Sequence, residues 1–562
     1  MRVKDVRILS IAPRTRDPGH EYYTYVMPVG IAYISSMLKK NGYVVDLLNL
    51  NHSGGDAEEI IRTTLSSEKY DYILTGGLSV HYTAVKYCVD TARKYAPAAR
   101  VILGGGLISS LPELMFKALR PDYIVIHEGE LTIVELLKHL ENNRDLTSVP
   151  GIGYRGPGDT LVITKDRLPI QDLDSLPWPD YEGLGFGEYL DKILPSTLYY
   201  YDIFDNPRPY PLIASRSCPY QCTFCYHPIG NIYRQRSIAS IMDEIIFAVE
   251  RYKINLIDIY DELFSHDRER VFEFCKQLKQ VVKSVPWEIK WSCQMRVDRM
   301  DKELVAIMKN AGCYAVSLGL ESYSAKVLKS MRKKITPEQI ETALQICHDL
   351  QMTVQGNFIF GDISETKETA YQTLYYWKRR HAFLGEAVSL GFIEVYPGTA
   401  LYEHCVKKGI IKDQLDFIEN HLLEPINITD NMTAQEWKQL CKDVTYTRIK
   451  YSISVSPKIV RINNNIFETH VKCPYCHFVS VYRNYVPPGR NSYPRKDICC
   501  RNCRMRFYLV SRHQKLKNCM SKLIGSKGWF LLYPVWRRMK KKMSNIKRRI
   551  RFCSSSTPTT GS

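Results

Sequence analysis

The chain has 562 residues, 45% of them hydrophobic and 24% charged, with a formal net charge of +18. The length predicts roughly two to four domains, and the composition excludes a disordered or collagenous chain. No apolar run reaches the ~18 residues of a membrane span. The start, Met1-Arg2-Val3-Lys4-Asp5-Val6, lacks the apolar core of a signal peptide, so a cytoplasmic location is expected. Seventeen cysteines in such a chain point to a reducing compartment and to metal ligation rather than a disulfide framework.

Residues 1–150 alternate strand-like and helical patterns. Val6 to Ala12, Val44 to Leu48, Tyr72 to Thr75, Arg100 to Leu103 and Tyr123 to Ile126 read as buried strands. Amphipathic segments such as Pro28 to Lys40 and Thr83 to Tyr95 separate them. This predicts a flavodoxin-like, doubly wound parallel sheet in an α/β chain. Several strands run into small or polar loops: Gly76-Gly77, Gly104-Gly105-Gly106 and His127-Glu128-Gly129-Glu130. Ligands of such sheets bind beyond the carboxyl ends of the strands, where glycine lets a bulky ligand approach the backbone.

Residues 151–205 read as a linker, proline-broken around Leu176-Pro177-Trp178-Pro179. Cys218, Cys222 and Cys225 follow, in the spacing Cys-x3-Cys-x2-Cys. Three thiolates on one loop can hold three corners of a 4Fe–4S cluster, which ordinarily takes four cysteines. The missing ligand leaves one iron open to a small molecule, as an open position does in a catalytic metal site. The competing reading is a structural zinc or redox cluster. Zinc prefers four ligands, and His227, close by, reads as loop.

Residues 206–430 return to strand and helix in alternation, with polar groups at strand ends, and predict a partial (β/α) barrel with its chemistry at the carboxyl-end mouth. A helical connector is expected over 431–469. Cys473, Cys476, Cys500 and Cys503 then form two Cys-x-x-Cys knuckles within 470–510, the pattern of a four-cysteine zinc ribbon. An auxiliary iron–sulfur cluster is the alternative, and Cys499 complicates the ligand choice. The tail, 511–562, has no Asp or Glu and pairs an aromatic patch, Trp529 to Trp536, with basic runs. It reads either as a solvated tail or as a contact with the anionic inner face of a membrane.

The cysteine triplet, the polar strand ends and the glycine turns together resemble the radical S-adenosylmethionine (SAM) enzymes that carry an amino-terminal cobalamin-binding domain. This group includes the anaerobic magnesium-protoporphyrin monomethyl ester cyclase-like and class B methyltransferase-like proteins. The resemblance implies a 4Fe–4S cluster on Cys218, Cys222 and Cys225, and SAM contacts from Phe224, Gln294, Arg296, Ser317, Glu321, Asn357, Gly361 and Tyr396. It also implies cobalamin near Gly76, Gly77, Gly104, Gly105, Glu128 and Gly129. His127 stands where the family usually has glycine. The cobalamin signature Asp-x-His-x-x-Gly is absent, so the cofactor would be held without that histidine; His20 lies in the corresponding loop but reads as solvated. A degenerate domain that binds nothing is the alternative.

The implied activity is methylation of an unactivated carbon in a small-molecule or lipid-like substrate, through a 5′-deoxyadenosyl radical and methylcobalamin. Electrons would come from a flavodoxin- or ferredoxin-type donor. Radical cyclisation, oxygenation or rearrangement of a tetrapyrrole or natural-product precursor is the runner-up. An RNA-modifying protein gripping with ribbon and tail is the reading of another class. The sulfur-inserting tRNA enzymes carry three further amino-terminal cluster cysteines, whereas only Cys88 precedes Cys218 here, so nucleic acid is not an expected partner.

Overall fold

Short Val-, Ile- and Leu-rich runs separated by amphipathic helices can bury both faces only by lying side by side in a parallel sheet. The computed structural model describes residues 6–15, 25–52, 54–198, 200–461, 467–486, 495–512, 514–516 and 518–519. Its first sheet contains β1 (Arg7–Ala12), β2 (Val44–Asn49), β3 (Tyr72–Gly76), β4 (Arg100–Gly104), β5 (Tyr123–Val125), β6 (Ile152–Arg155) and β7 (Leu161–Ile163), in the order β2-β1-β3-β4-β5-β6-β7. The first five are parallel, and β6 and β7 add antiparallel. The order 2-1-3-4-5 is that of flavodoxin-like sheets, whose crevice opens at the carboxyl ends beside the β1/β3 reversal. The helices Val29–Lys40 and Gly129–Glu141 cover one face; Ala57–Ser67 and Tyr82–Tyr95 cover the other. The expected end of this unit at residue 150 is corrected by β6 and β7. Ile152 pairs with Val125 and is fully buried, so the sheet gains two strands from a stretch read as linker.

The remaining linker is packed rather than free. Tyr181 donates to the Pro211 carbonyl at 2.8 Å, and Tyr181, Phe186, Tyr189 and Tyr210 bury their rings against one another. It leads into β8 (Pro209–Leu212), then β9 (Ser215–Arg216) and β10 (Arg234–Gln235), which pair antiparallel. The barrel strands follow as β11 (Leu256–Ile259), β12 (Lys290–Met295), β13 (Cys313–Glu321), β14 (Thr353–Phe360) and β15 (Val388–Phe392). They run parallel in the order β15-β14-β13-β12-β11-β8, an open (β/α) barrel.

Within β12, buried Trp291, Cys293 and Met295 alternate with more exposed Ser292 and Gln294. The period of two sends one set to the helical shell and the other to the lumen. Register lines Gln294 up with Ser317 and Gln355, and one layer higher Gly319 with Asn357 and Ser389. The lumen is therefore polar. Asp258, deeper in β11, accepts from Ser292 Oγ at 3.0 Å, and burial pushes its carboxyl up to about 7.

The helix Ala434–Tyr451 packs on Lys367–Leu384, and the chain then enters a small β module. This module begins earlier than the expected 470: β16 (Ser454–Val455) and β17 (Lys458–Arg461) already belong to it. They join β18 (Phe467–Lys472), β19 (Val479–Arg483), β20 (Arg495–Cys499) and β21 (Arg506–Val510) in two three-stranded sheets. Among the described residues no helix is long and apolar enough to cross a membrane. His20 and the aromatic-basic stretch of the tail lie outside the described residues.

Candidate active site

The loop bearing Cys218, Cys222 and Cys225 sits between β9 and β10 at the barrel mouth. Its backbone is pinned from two sides: Thr223 N–H donates to the Met331 carbonyl at 3.1 Å, and Leu401 N–H donates to the Thr223 carbonyl at 3.1 Å. Tyr220, between the first two cysteines, lies under the Arg296 guanidinium at 3.6 Å, and its hydroxyl receives Arg299 at 3.2 Å. Arg296 also donates to Asp298 and, at 2.8 Å, to the Lys333 carbonyl. A buried arginine held in this way braces the cysteine loop.

A thiol must ionise to hold a metal. A hydrogen bond with Cys225 lowers the Cys222 thiol to about 6, against its burial, and Lys333 and Arg296 add positive potential; the same bond and burial hold Cys225 up. Burial raises Cys218. His227 is engaged at Nδ1 by Glu262, 3.1 Å away, which raises its proton affinity. The three thiols also do not converge as a single-ion site would. Among the described residues, the set of three or more ligand atoms all within 4.8 Å of one another is Cys473, Cys476, Cys500 and Cys503. A loop whose three thiols do not close on one point, with Cys222 the most readily ionised and Lys333 and Arg296 supplying positive potential, fits a multi-iron anion.

Glu321 closes β13 with φ at +58°, left-handed backbone that costs a non-glycine residue of order 1–3 kcal/mol. The ladder slips by one residue between Gly319 and Glu321, and such a bulge re-aims a side chain at the rim of a site. The Glu321 carboxylate meets Lys333 Nζ at 2.7 Å, both almost wholly buried, with the ammonium 5.9 Å from the Phe224 ring centre. Gly319 leaves the room: a Cβ there would lie 2.3 Å from Lys333 Nζ. Lys333 carries no motif signal and was missed in the sequence; only the fold brings it to Phe224 and Glu321.

Of the other residues expected to face SAM, Gln294, Ser317 and Asn357 line the lumen, Asn357 accepting from Ser389. Tyr396 packs with Phe224 in one apolar cluster and donates to Glu394. Gly361, at φ +110°, gives its N–H to buried Glu365 at 2.6 Å, and a Cβ would strike Trp437 at 2.8 Å. The close approach that requires glycine there is to the protein's own helix.

The carboxyl ends of β3, β4 and β5 face this loop. Tyr226, next to Cys225, donates to the Gly106 carbonyl at 2.8 Å, and its ring lies against Gly398. His127, at φ +63°, explains how a side chain replaces the usual glycine: its Nδ1 lies 2.8 Å from the Pro228 carbonyl across the junction. Gly76 and Gly105 are required by the turns' approach to each other, since a Cβ on Gly76 would lie 2.3 Å from the Gly104 carbonyl oxygen and one on Gly105 2.9 Å from the Gly77 carbonyl oxygen; a Cβ on Gly77 would meet the His81 ring at 2.9 Å. Gly104 has ordinary room, and Gly129 opens a helix packed on Ile34. The Glu128 carboxylate is buried and taken by Arg216 at 2.8 Å, Arg234 at 2.7 Å and the Ile170 N–H at 2.8 Å, so its side chain joins the domains. The side-chain-poor turns and the exposed apolar Leu78 and Val80 beyond β3 form a platform that fits a broad, flat ring.

The profile of the radical SAM superfamily matches residues 212–374, and that of the B12 binding domain matches residues 16–137. An uncharacterized methyltransferase of Pyrococcus horikoshii is 26% identical over 478 residues, covering 83% of this chain and 96% of that protein. The anaerobic magnesium-protoporphyrin IX monomethyl ester cyclase of Rubrivivax gelatinosus is 26% identical, covering 77% and 75%. The cytidylyl-2-hydroxyethylphosphonate methyltransferase of Streptomyces wedmorensis is 25% identical, covering 72% and 82%. The fold is similar to that of the radical SAM methyltransferase TsrM of Kitasatospora setae, with a TM-score of 0.58 at 16% identity over 72% of this chain and 77% of that one. It is also similar to the cobalamin-dependent radical enzyme OxsB, at 0.57 and 20%, covering 76% and 58%. The chain thus carries a B12-binding domain followed by a radical SAM domain, with Cys218, Cys222 and Cys225 at the barrel mouth that faces the first sheet.

Proposed function

We propose that the protein transfers a methyl group to an unactivated carbon of a small-molecule substrate held in the barrel lumen. The observation that carries this reading is the facing of two ligand-binding ends. The Tyr226–Gly106 and His127–Pro228 contacts set the carboxyl ends of β3–β5 against the cysteine loop. Cys218, Cys222 and Cys225 would hold the 4Fe–4S cluster; Phe224, Ser317, Glu321 and Lys333 would surround SAM; and the turns at Gly76-Gly77 and Gly104-Gly105 would receive cobalamin. When bound, these groups supply the one-electron cleavage and the methyl carrier. The chain's own residues bind and orient. Lys333 and Glu321 form a buried pair of opposite charge, complementary to an amino acid's ammonium and carboxylate. The polar layer of Gln294, Ser317, Gln355 and Asn357 offers donors and acceptors to a substrate. Tyr226 closes the junction to water.

The relative from Rubrivivax gelatinosus, named as a cyclase, keeps ring closure in view as the second outcome. A flavodoxin- or ferredoxin-type electron donor belongs to the same reading, and a membrane-surface contact would fall to the basic tail. Anaerobic reconstitution with iron, sulfide, cobalamin and SAM, followed by mass analysis of candidate substrates, decides the matter. A gain of one methylene supports methylation; loss of hydrogen without added carbon replaces it with cyclisation.

A further inference from the structure

We infer that Cys473, Cys476, Cys500 and Cys503 hold a structural zinc ion that staples a β module onto the closed end of the barrel. In a tetrahedral tetrathiolate site, metal–sulfur bonds of about 2.3 Å place the sulfurs about 3.8 Å apart. Here Cys473 and Cys503 Sγ are 3.7 Å apart, as are Cys476 and Cys500 Sγ, and all four lie within 4.8 Å of one another. That spacing surrounds one ion and is too tight to enclose several irons. Two loop–strand knuckles supply the ligands in pairs. Cys473 N–H donates to the Phe478 carbonyl, and Cys500 N–H to the Met505 carbonyl, both at 2.9 Å. Cys499 is excluded: its Sγ is buried against Thr353 and the Arg504 carbonyl.

The location assigns the role. The module touches the amino ends of the barrel strands, opposite the cysteine loop of the active site. Thr353 begins β14 and meets Cys499. Gly385, three residues before β15, takes φ +66°, and a Cβ there would lie 3.0 Å from the Arg506 carbonyl and 3.1 Å from Tyr475 Oη. Asp202, buried just before β8, accepts the Cys499 N–H. Arg506, 1% exposed, reaches Asp497 and, at 3.5 Å, Asp202, and its guanidinium lies 5.3 Å from the Tyr200 ring centre. Tyr200 in turn donates to Gln355 in the lumen wall at 2.8 Å. A module this small has little core of its own, and a metal knot supplies the stability that its size does not. The ion thus holds the barrel floor and takes no part at the mouth.

The test uses the full chain purified anaerobically. Elemental analysis is expected to find zinc equimolar with the chain, in addition to cluster iron. Cys476→Ser is expected to lose the zinc while keeping the iron and its cluster spectrum. Hydrogen exchange should then quicken around residues 200–206, 353–355 and 385–388 and stay unchanged around 218–225. Should that variant fail to fold, cobalt exchanged into the wild-type chain is expected to show thiolate charge-transfer and tetrahedral d–d bands. Iron in place of zinc, a quartet without metal, or exchange that quickens first at the mouth would each overturn the proposal. Because zinc content is read separately from cluster iron, loss of the radical activity does not bear on it.

Discussion

Arg234 Nη1 lies 2.7 Å from Glu128 Oε2, with both side chains under 5% exposed, and this contact helps join the two cofactor-binding halves of the molecule. Arg234 belongs to the strand that closes the cysteine loop, and Glu128 to the turn after β5. Arg216, two residues before Cys218, adds the other Glu128 oxygen and also takes Glu130 at 2.6 Å. A paired charge network of this kind, saturated with hydrogen bonds, fixes geometry; removing one member leaves opposite charges buried and unpaired.

Glu128→Ala should therefore cost about 3–5 kcal/mol. The expected signs are a lower thermal midpoint and faster proteolytic cutting between residues 164 and 180, where Ile170 loses its acceptor. Unchanged stability would show that the network carries no load.

His127→Ala and His127→Gly both lose the bond to Pro228. Only alanine retains a Cβ in left-handed backbone, which costs about 1 kcal/mol or more. His127→Gly is expected to be the more stable of the two in urea titration, by roughly that amount.

Cys222→Ala should abolish reductant-dependent 5′-deoxyadenosine formation. It should leave the absorbance of cobalamin bound to the reconstituted protein within error of the parent, since Cys222 lies in the barrel loop and not in the first sheet. Retained SAM cleavage would contradict the cluster assignment.

Arg506→Ala removes the cation shared by buried Asp202 and Asp497 and should destabilise by about 3–5 kcal/mol. Its effect on cysteine-loop iron content should be small. Differential scanning fluorimetry with iron analysis reads both.

Asp258 supplies a pH dependence with a definite sign. Its folded carboxyl is raised to about 7 by burial, so the native state keeps a proton that the unfolded chain has released. The stability this group contributes is present below the unfolded carboxyl's pKa of about 4 and falls as pH climbs from there through about 7. Asp258→Asn should flatten that decline, seen as a smaller drop in urea midpoint between pH about 5 and about 8. Parallel profiles for parent and variant would refute it.

Much of this molecule was legible in its residues because the signals are local. Strand and helix periods, proline and glycine punctuation, and cysteine spacing are set within a few positions along the chain. They placed the parallel sheet, the barrel, the triplet Cys218-Cys222-Cys225 and the knuckles around Cys473 and Cys500. Less legible was how a residue is used when that depends on what lies opposite. Glu128 sits in a turn that reads as a ligand site, yet two arginines about a hundred residues away along the chain claim its carboxylate. Arg296 ends a strand at the mouth, yet stacks on Tyr220. The stretch around Ile152 reads as linker because two short strands have no period long enough to register.

The order of residues alone determined which elements form and which thiols stand together, since dihedral preference and side-chain alternation act between neighbours. Tertiary structure decided the partnerships: Lys333 with Glu321, Tyr226 with Gly106, and Arg506 with Asp202. Those arise from packing two sheets and a knot of cysteines into one body, where burying a charge or an N–H is costly unless a partner, often from a distant part of the chain, meets it.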